Sequence, residues 1–152
     1  MLARILALPA VLLMLALTGA AVLEARYPIA LGMPSFAWAM ASGAAVMLTA
    51  VTIAGAAMMQ MKKHRTTVEP GQRPATLVTS GIFARTRNPI YLAMVLFVLA
   101  IALMADAGWF ILAAIVLCIA LDRIVIASEQ RMIGEAFGEE YAAYRRRVRR
   151  WI

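Results

Sequence analysis

Hydrophobic residues run along this chain in four long blocks, and the polar residues collect between them. A helix needs roughly 20 apolar residues to cross the ~30 Å hydrocarbon core of a bilayer. No segment shows the period of two that a transmembrane barrel strand requires. The pattern therefore predicts an all-α integral-membrane fold with four transmembrane helices, in one domain covering residues 1–152. The predicted spans are residues 5–23, 36–59, 90–105 and 108–127.

Two of these blocks need further interpretation. Residues 5–23 follow an early arginine and precede small residues, as in a signal peptide, but a helix retained in the bundle explains the run to Leu23 better. The block at 90–105 is short, and we expect the residues before Ile90 to extend its helix. The sequence ADAG at 105–108 predicts a tight turn, so the third and fourth helices form an antiparallel hairpin.

The tail, residues 128–152, has a helical pattern of its own. Its apolar positions recur every three or four residues, which predicts one amphipathic helix or two short helices broken near Gly138. Such a tail lies at the membrane interface with its arginines at anionic headgroups, or covers a pocket facing the cytoplasm, and the two roles are compatible. The apolar positions are Ile133, Phe137, Tyr141, Tyr144, Val148 and Ile152.

Composition and charge give the topology. The chain is 64% hydrophobic with a net charge of +7, and its mean hydropathy is +0.82. With four spans, every basic residue except Arg26 falls on one side of the membrane. The positive-inside rule then places both termini and the 60–90 segment in the cytoplasm. Nucleic-acid binding is disfavoured, because no soluble domain is predicted to hold it.

The sequence gives little support for a metal site or for a catalytic nucleophile. His64 is the only histidine and Cys118 the only cysteine, so ligands for a zinc or iron site are lacking. The chain has no phosphate-binding loop, nucleophile elbow or dinucleotide fingerprint. Cys118 is expected to be a small apolar core residue, and His64 is more often a surface group than a catalyst.

The polar residues with chemical potential gather at the predicted cytoplasmic face. Asp122 and Arg123 end the fourth block, Glu129 begins the tail, and the 60–90 segment carries the rest. The stretch TSGIFARTRNPIYLA, residues 79–93, sets two arginines and an asparagine directly against a hydrocarbon block. Taken alone, its asparagine and proline could simply open the third helix.

Two separated motifs in order give a more specific interpretation. LVTSGIFARTRNPIYL, then a membrane hairpin, then SEQ and FGEEYAAYRRRVRRW resembles the isoprenylcysteine carboxyl methyltransferase and phospholipid methyltransferase superfamily. These are integral-membrane enzymes that use S-adenosylmethionine. The resemblance covers residues 64–152, and the alanine- and arginine-rich composition suggests a bacterial member in the inner membrane.

The resemblance implies a set of site residues. Arg87, Asn88 and Glu129 would be catalytic, the first two from the R(N/H)PxY motif and the third from the family's paired acids. The second acid is Gln130 here, which is a departure from the family pattern. An arginine used by the prenylcysteine enzymes falls at Val125, and the role does not transfer securely to Arg123. The cofactor would be held by Leu77, Val78, Thr79, Gly81, Arg87, Asn88, Pro89, Tyr91, Glu129 and Tyr141.

The expected function is S-adenosylmethionine-dependent methyl transfer to a lipophilic or membrane-embedded acceptor at the cytoplasmic face, with membrane lipids as partners and no metal. Carboxylate, amine and thiol acceptors all remain open. The alternative is a non-enzymatic scaffold or assembly protein of the membrane. A transporter is disfavoured because no ionisable residue lies deep within a predicted span.

Overall fold

The computed structural model describes residues 2–64 and 76–152, and over these residues the chain forms helices and no β-strand. A short 3₁₀ helix, Gly81–Ala84, precedes α3, and a π-helical segment, Leu121–Ile126, joins α4 to α5 without a turn. The predicted all-α fold is confirmed. The helices are α1 (Leu2–Arg26), α2 (Phe36–Lys63), α3 (Pro89–Met104), α4 (Gly108–Ala120) and α5 (Ala127–Arg147).

Three helical runs are long and apolar enough to cross a membrane, namely Leu8–Arg26, Phe36–Lys63 and Gly108–Arg147. Helix α3 has 16 residues, about 24 Å at 1.5 Å per residue, so it is shorter than the hydrocarbon core. Pro89 is the only residue before Ile90 that joins this helix, because Asn88 is its N-cap with non-helical backbone angles (φ −133°, ψ 57°). The predicted extension beyond Pro89 is therefore wrong.

The outer faces of the long helices carry large apolar side chains. Leu15, Leu48 and Ile115 are 64%, 68% and 52% exposed, respectively. Soluble monomers rarely expose contiguous apolar surface on this scale. These faces suit contact with lipid, and the chain is a membrane protein.

Close packing of small residues fixes α2 against α3. Gly43, Ala50 and Ala57 are buried along one stripe of α2. A Cβ at Gly43 would lie 2.2 Å from Met104 Cγ and 2.8 Å from the Ala100 carbonyl oxygen, so only glycine allows this approach. Small residues bring membrane helices close enough for extensive van der Waals contact. On its other sides α3 packs in a core with α1 and α4 that includes Val98, Ala102 and Leu117.

Hydrogen bonds join the α1–α2 loop to the α3–α4 turn at one end of the bundle, and we call these contacts the Asp106 clasp. Asp106, in the turn between α3 and α4, has a positive φ of 49° and accepts the backbone N–H groups of Leu31 and Met33 at 3.0 and 3.3 Å. The carboxylate of Glu24 accepts the N–H of Ile29 at 2.9 Å. The turn predicted at 105–108 is present, and it fastens the α1–α2 loop to the α3–α4 hairpin.

The tail continues the fourth helix, although the sequence suggested a separate element. Helix runs from Gly108 to Arg147, but its apolar part ends at Ile126 and polar residues follow from Ser128. The break predicted near Gly138 is present, since Gly138 has φ 48° and ψ −121°, in the region that favours glycine. The break lets the helix change direction after Gly138 and pack against the segment before α3.

Part of the 60–90 segment falls outside the described residues. Arg65, Glu69 and Arg73, three of the polar candidates in the sequence, lie there.

The glycine contact between α2 and α3 predicts a position-specific effect on stability. Gly43→Ala is expected to lower the free energy of unfolding by about 1 to 3 kcal/mol, because the added methyl meets backbone as well as Met104. Gly55→Ala, in the same helix with no atom within 4 Å of its Cβ position, is the matched control and should not destabilise. Thermal unfolding in detergent measures both, and equal melting temperatures would contradict the packing argument.

Candidate functional site

The residues after α5 return to the segment before α3. Val148 ends the helix in an extended conformation (φ −121°, ψ 130°), and we call residues 148–152 the strap. The backbone N–H of Arg87 donates to the Arg149 carbonyl at 3.1 Å. The Asn88 side-chain amide donates to the Arg150 carbonyl at 2.9 Å, and the Thr86 hydroxyl donates to the same oxygen at 3.2 Å. We call Arg87, Asn88 and Pro89 the R-N-P motif. The strap therefore fixes the backbone of this motif and the orientation of the Asn88 amide.

The side chain of Arg150 anchors the strap to the α4–α5 junction. Its Nη1 donates to both carboxylate oxygens of Asp122, at 3.0 and 2.9 Å, and its Nη2 donates to Gln130 Oε1 at 2.9 Å. The indole N–H of Trp151 donates to Asp122 Oδ1 at 3.1 Å. Charge-assisted bonds of this kind are about twice as strong as neutral ones. Gln130, at the family's second-acid position, is thus a partner of Arg150.

A tyrosine–glutamate pair links α3 to α5. The Tyr91 hydroxyl donates to Glu129 Oε1 at 2.6 Å, one helical turn beyond the R-N-P motif. Burial raises the pKa of the Glu129 carboxyl above its ordinary value, and the Tyr91 hydrogen bond acts in the opposite direction. A carboxylate in this setting is held in one orientation and is poorly solvated, which is typical of a functional acid.

Arg87 joins the same region through Tyr141. Its Nη1 lies 3.5 Å from the Tyr141 hydroxyl oxygen, while its Nε is buried with no hydrogen-bond partner among the described residues. Tyr141 and Tyr144 are buried with Val148, and Leu77, Ile133 and Phe137 pack against them. Of the apolar tail positions predicted to share one face, all but Ile152, which is 79% exposed, lie in this cluster.

The remaining predicted cofactor residues lie just before the motif. Val78 is buried and Thr79 is half-buried. Gly81 has φ +62°, and the Gln60 side chain fills the space that its Cβ would occupy. The Tyr144 hydroxyl donates to the Phe83 carbonyl at 2.6 Å, which holds this segment to the tail. Leu77 is a packing residue, so only its backbone remains available for the predicted contact.

His64 and Arg123 stand apart from this cluster. His64 caps the end of α2, and its Nε2 lies 3.3 Å from Ser80 Oγ, so its side chain contacts Ser80 rather than the R-N-P motif. Arg123 is exposed on the π-helical segment. Neither residue takes part in the bonds that Arg87 and Asn88 make to the tail or in the Tyr91–Glu129 bond.

The network that supports the site was missed by reasoning from the sequence. Asp122, Arg150, Trp151 and Thr86 were not among the predicted site residues, although the motif VRRW and an acid at the end of an apolar block both signalled them. The two predicted halves do come together, Tyr91 with Glu129 and Arg87 with Tyr141. The polar cluster lies at the end of the bundle opposite the Asp106 clasp.

Comparison with known families places the chain in one of them. The family model described as phospholipid methyltransferase matches residues 38–140, about two thirds of the chain. The chain belongs to the phospholipid methyltransferase family. The matched range of this methyltransferase family includes the R-N-P motif, Glu129 and Gly138 but stops before the strap. No curated protein and no solved structure matches the chain. Within the described residues no cluster of three metal-binding side chains occurs.

The buried pair predicts a pH-dependent effect of Tyr91→Phe. Removing the hydroxyl leaves the Glu129 carboxylate without this donor, and we expect a loss of about 1 to 3 kcal/mol in the free energy of unfolding. Because burial holds the folded-state pKa of Glu129 above its ordinary value, ionisation of this group opposes folding, and its contribution to stability is lost as the pH rises through the folded pKa.

The hydroxyl stabilises the ionised form, so the defect of Tyr91→Phe should be larger above that pKa than below it. Thermal unfolding across the acidic to neutral range measures this. Tyr27→Phe, at a tyrosine that is 69% exposed, is the control. A defect that does not change with pH would contradict the assigned bond.

The anchor predicts a local loosening in Asp122→Ala. Arg150 and Trp151 lose their shared acceptor, and we expect a loss of about 1 to 3 kcal/mol in the free energy of unfolding. Faster amide hydrogen exchange should be concentrated in the strap and at Arg87, whose N–H bonds to it. Glu135→Ala, at an exposed acid of α5, is the control. Unchanged exchange at Arg87 would show that the anchor does not hold the strap.

Proposed function

We propose that the protein transfers a methyl group from S-adenosylmethionine to a lipophilic or membrane-embedded acceptor at the cytoplasmic face of the membrane. The main support is the family match combined with the hydrogen bonds that tie Arg87 and Asn88 to the tail and Glu129 to Tyr91. A methyltransferase needs little acid–base machinery, since aligning the nucleophile with the methyl group supplies much of the rate. A rigid polar network at the edge of an apolar bundle suits that task.

The proposed topology has four spans, with α3 as the third and residues 108–127 as the fourth. Helix α3 packs between longer helices, which compensates for its short length, and modest mismatch costs a bilayer only fractions of a kcal/mol per Å. Both termini and the site then face the cytoplasm, as the distribution of basic residues favours. The tail lies at the interface, and the inner membrane of a bacterium is the proposed location.

The donor set of the site fits the cofactor. S-adenosylmethionine carries a carboxylate, an ammonium group and ribose hydroxyls. Arg87 Nε and Gln130 Nε2 are buried donors without partners among the described residues, and buried donors are normally satisfied. Glu129 offers an acceptor suited to ammonium or hydroxyl groups. The substitution of the family's second acid by Gln130 therefore removes a charge while keeping a hydrogen-bonding group.

The residues of the chain would act by holding and orienting. When bound, S-adenosylmethionine supplies a methyl group activated by a positively charged sulfur. Glu129, held by Tyr91, fixes the position of a cationic or hydroxyl group. Asn88, whose amide nitrogen is committed to Arg150, presents its Oδ1 in a set direction. The apolar helices exclude water, and a dry site favours a step in which an anionic nucleophile and a sulfonium lose charge.

The position of the site at the edge of the membrane indicates only the chemical class of the methyl acceptor. Entry from the lipid between helices suits an amphiphile with a polar end at the cytoplasmic face, and a carboxylate, an amine or a thiol could each accept the methyl group. An amine would first have to lose a proton, for which Glu129, His64 or water is a candidate acceptor.

Two measurements on purified protein test this proposal. Wild type should bind S-adenosylhomocysteine and transfer labelled methyl groups to a host lipid extract or to carboxylate and thiol amphiphiles. Glu129→Gln and Asn88→Ala should each weaken binding or transfer about 10- to 100-fold, as loss of a hydrogen bond to a charged group implies. Glu135→Gln, at an exposed acid, is the control. Folded wild-type protein that binds no cofactor would favour the scaffold alternative.

A further inference from the structure

An arginine-lined cavity lies beside the proposed site, on the face of α5 beyond Gly138. Its volume is about 310 Å³, and it is open to solvent. Arg87, Arg145 and Arg146 line it together with Ala142. Arg145 and Arg146 are exposed residues of α5. They lie within the second sequence motif but are not among the site residues that the resemblance implies. The small side chain of Ala142 leaves room between the arginines.

The positive charge around this cavity is not balanced within the described residues. The one ion pair formed there joins Arg150 to Asp122, and it involves none of the arginines of the cavity. Arg145 instead lies over the Tyr141 ring, with its guanidinium carbon 5.8 Å from the ring centroid. Arg87 contacts the hydroxyl of the same tyrosine. Tyr141 thus holds two guanidinium groups near each other, which like charges disfavour unless an anion is nearby.

A buried donor supplies a second, independent indication. Arg87 Nε has no hydrogen-bond partner among the described residues, although the guanidinium presents several donors in a rigid fork that matches carboxylate and phosphate oxygens. Leaving such a donor unsatisfied costs about 1 to 3 kcal/mol. An anion in the cavity would offset the charge of the three arginines. It would reach the buried Nε only if the Arg87 side chain shifts toward it.

We propose that this cavity, formed by Arg87, Arg145 and Arg146 over Ala142, binds the anionic group, a carboxylate or phosphate, of a ligand of the proposed reaction. The inference rests on the proposed function, since the cavity shares Arg87 with that site. Two sources could supply this chemistry, the amino-acid carboxylate of the cofactor and the phosphate of a lipid headgroup.

Binding to purified full-length protein distinguishes the two sources. The probes are S-adenosylhomocysteine, methylthioadenosine, which lacks the amino-acid carboxylate, and dihexanoyl phosphatidylglycerol below its micellar concentration. The test variants are the double substitution Arg145→Gln with Arg146→Gln, which removes charge, and Ala142→Leu, which fills the cavity without changing charge. Arg131→Gln, at an exposed arginine of α5 outside the cavity, is the matched control.

A carboxylate site predicts that both test variants weaken S-adenosylhomocysteine binding at least about 10-fold, as loss of charge-assisted bonds implies, and leave methylthioadenosine unchanged. A phosphate site predicts the same loss for dihexanoyl phosphatidylglycerol, with S-adenosylhomocysteine unchanged. In either case binding should weaken with added salt in wild type and less so in the double variant. Melting temperatures within a few degrees of wild type verify folding.

The proposal is overturned if neither anionic probe binds wild type, or if the test variants match Arg131→Gln for every probe. Its failure is distinguishable from failure of the proposed function. Arginine-dependent binding without methyl transfer to any acceptor would retain the anion site and reject the reaction. Methyl transfer that both variants leave intact would retain the reaction and reject the anion site.

Discussion

The guanidinium of Arg150 holds together the two parts of the polar cluster. It bonds Asp122 at the end of α4 and Gln130 in α5, while the carbonyl of the same residue receives the Asn88 amide. One residue therefore ties the fourth helix, the tail and the start of the third helix to one another. The geometry of the R-N-P motif therefore depends on a contact made about 60 residues later in the chain.

The two ends of the bundle illustrate different solutions to one constraint. Backbone polar groups within a bilayer must be paired by the protein itself. At one end Asp106 and Glu24 accept backbone N–H groups of the α1–α2 loop and of the first turn of α4. At the other end the pairing groups belong to the strap and the R-N-P motif, and buried donors are left over at Arg87 and Gln130. Buried donors without partners distinguish the candidate site from the Asp106 clasp. An end of the bundle with only a structural role would pair its buried donors.

Block length and charge distribution predicted the helical fold well, because hydrocarbon thickness and helical rise leave few alternatives. The break at Gly138 and the turn at Asp106 were also predictable from local residue types. The start of α3 at Pro89 also had a local signal, since proline suits the first helical turn, but the strap that binds the preceding backbone gave none. Likewise, Gln130 looked like a defect in an acid pair. Its role became visible only with Arg150 beside it, because a hydrogen bond across 20 residues leaves no periodic signal.

The π-helical segment between α4 and α5 sets the rotational phase of everything after it. Residues eight apart in an unbroken α-helix are offset by roughly 80°, whereas seven apart is within roughly 20° of two full turns. A π turn takes in one additional residue, so Asp122 and Gln130, eight apart, come to share one face and one guanidinium. Glu129 is then rotated by roughly 100° from Gln130, toward Tyr91. The π turn thus places Gln130 on the face that bonds Arg150 and Glu129 on the face that meets Tyr91.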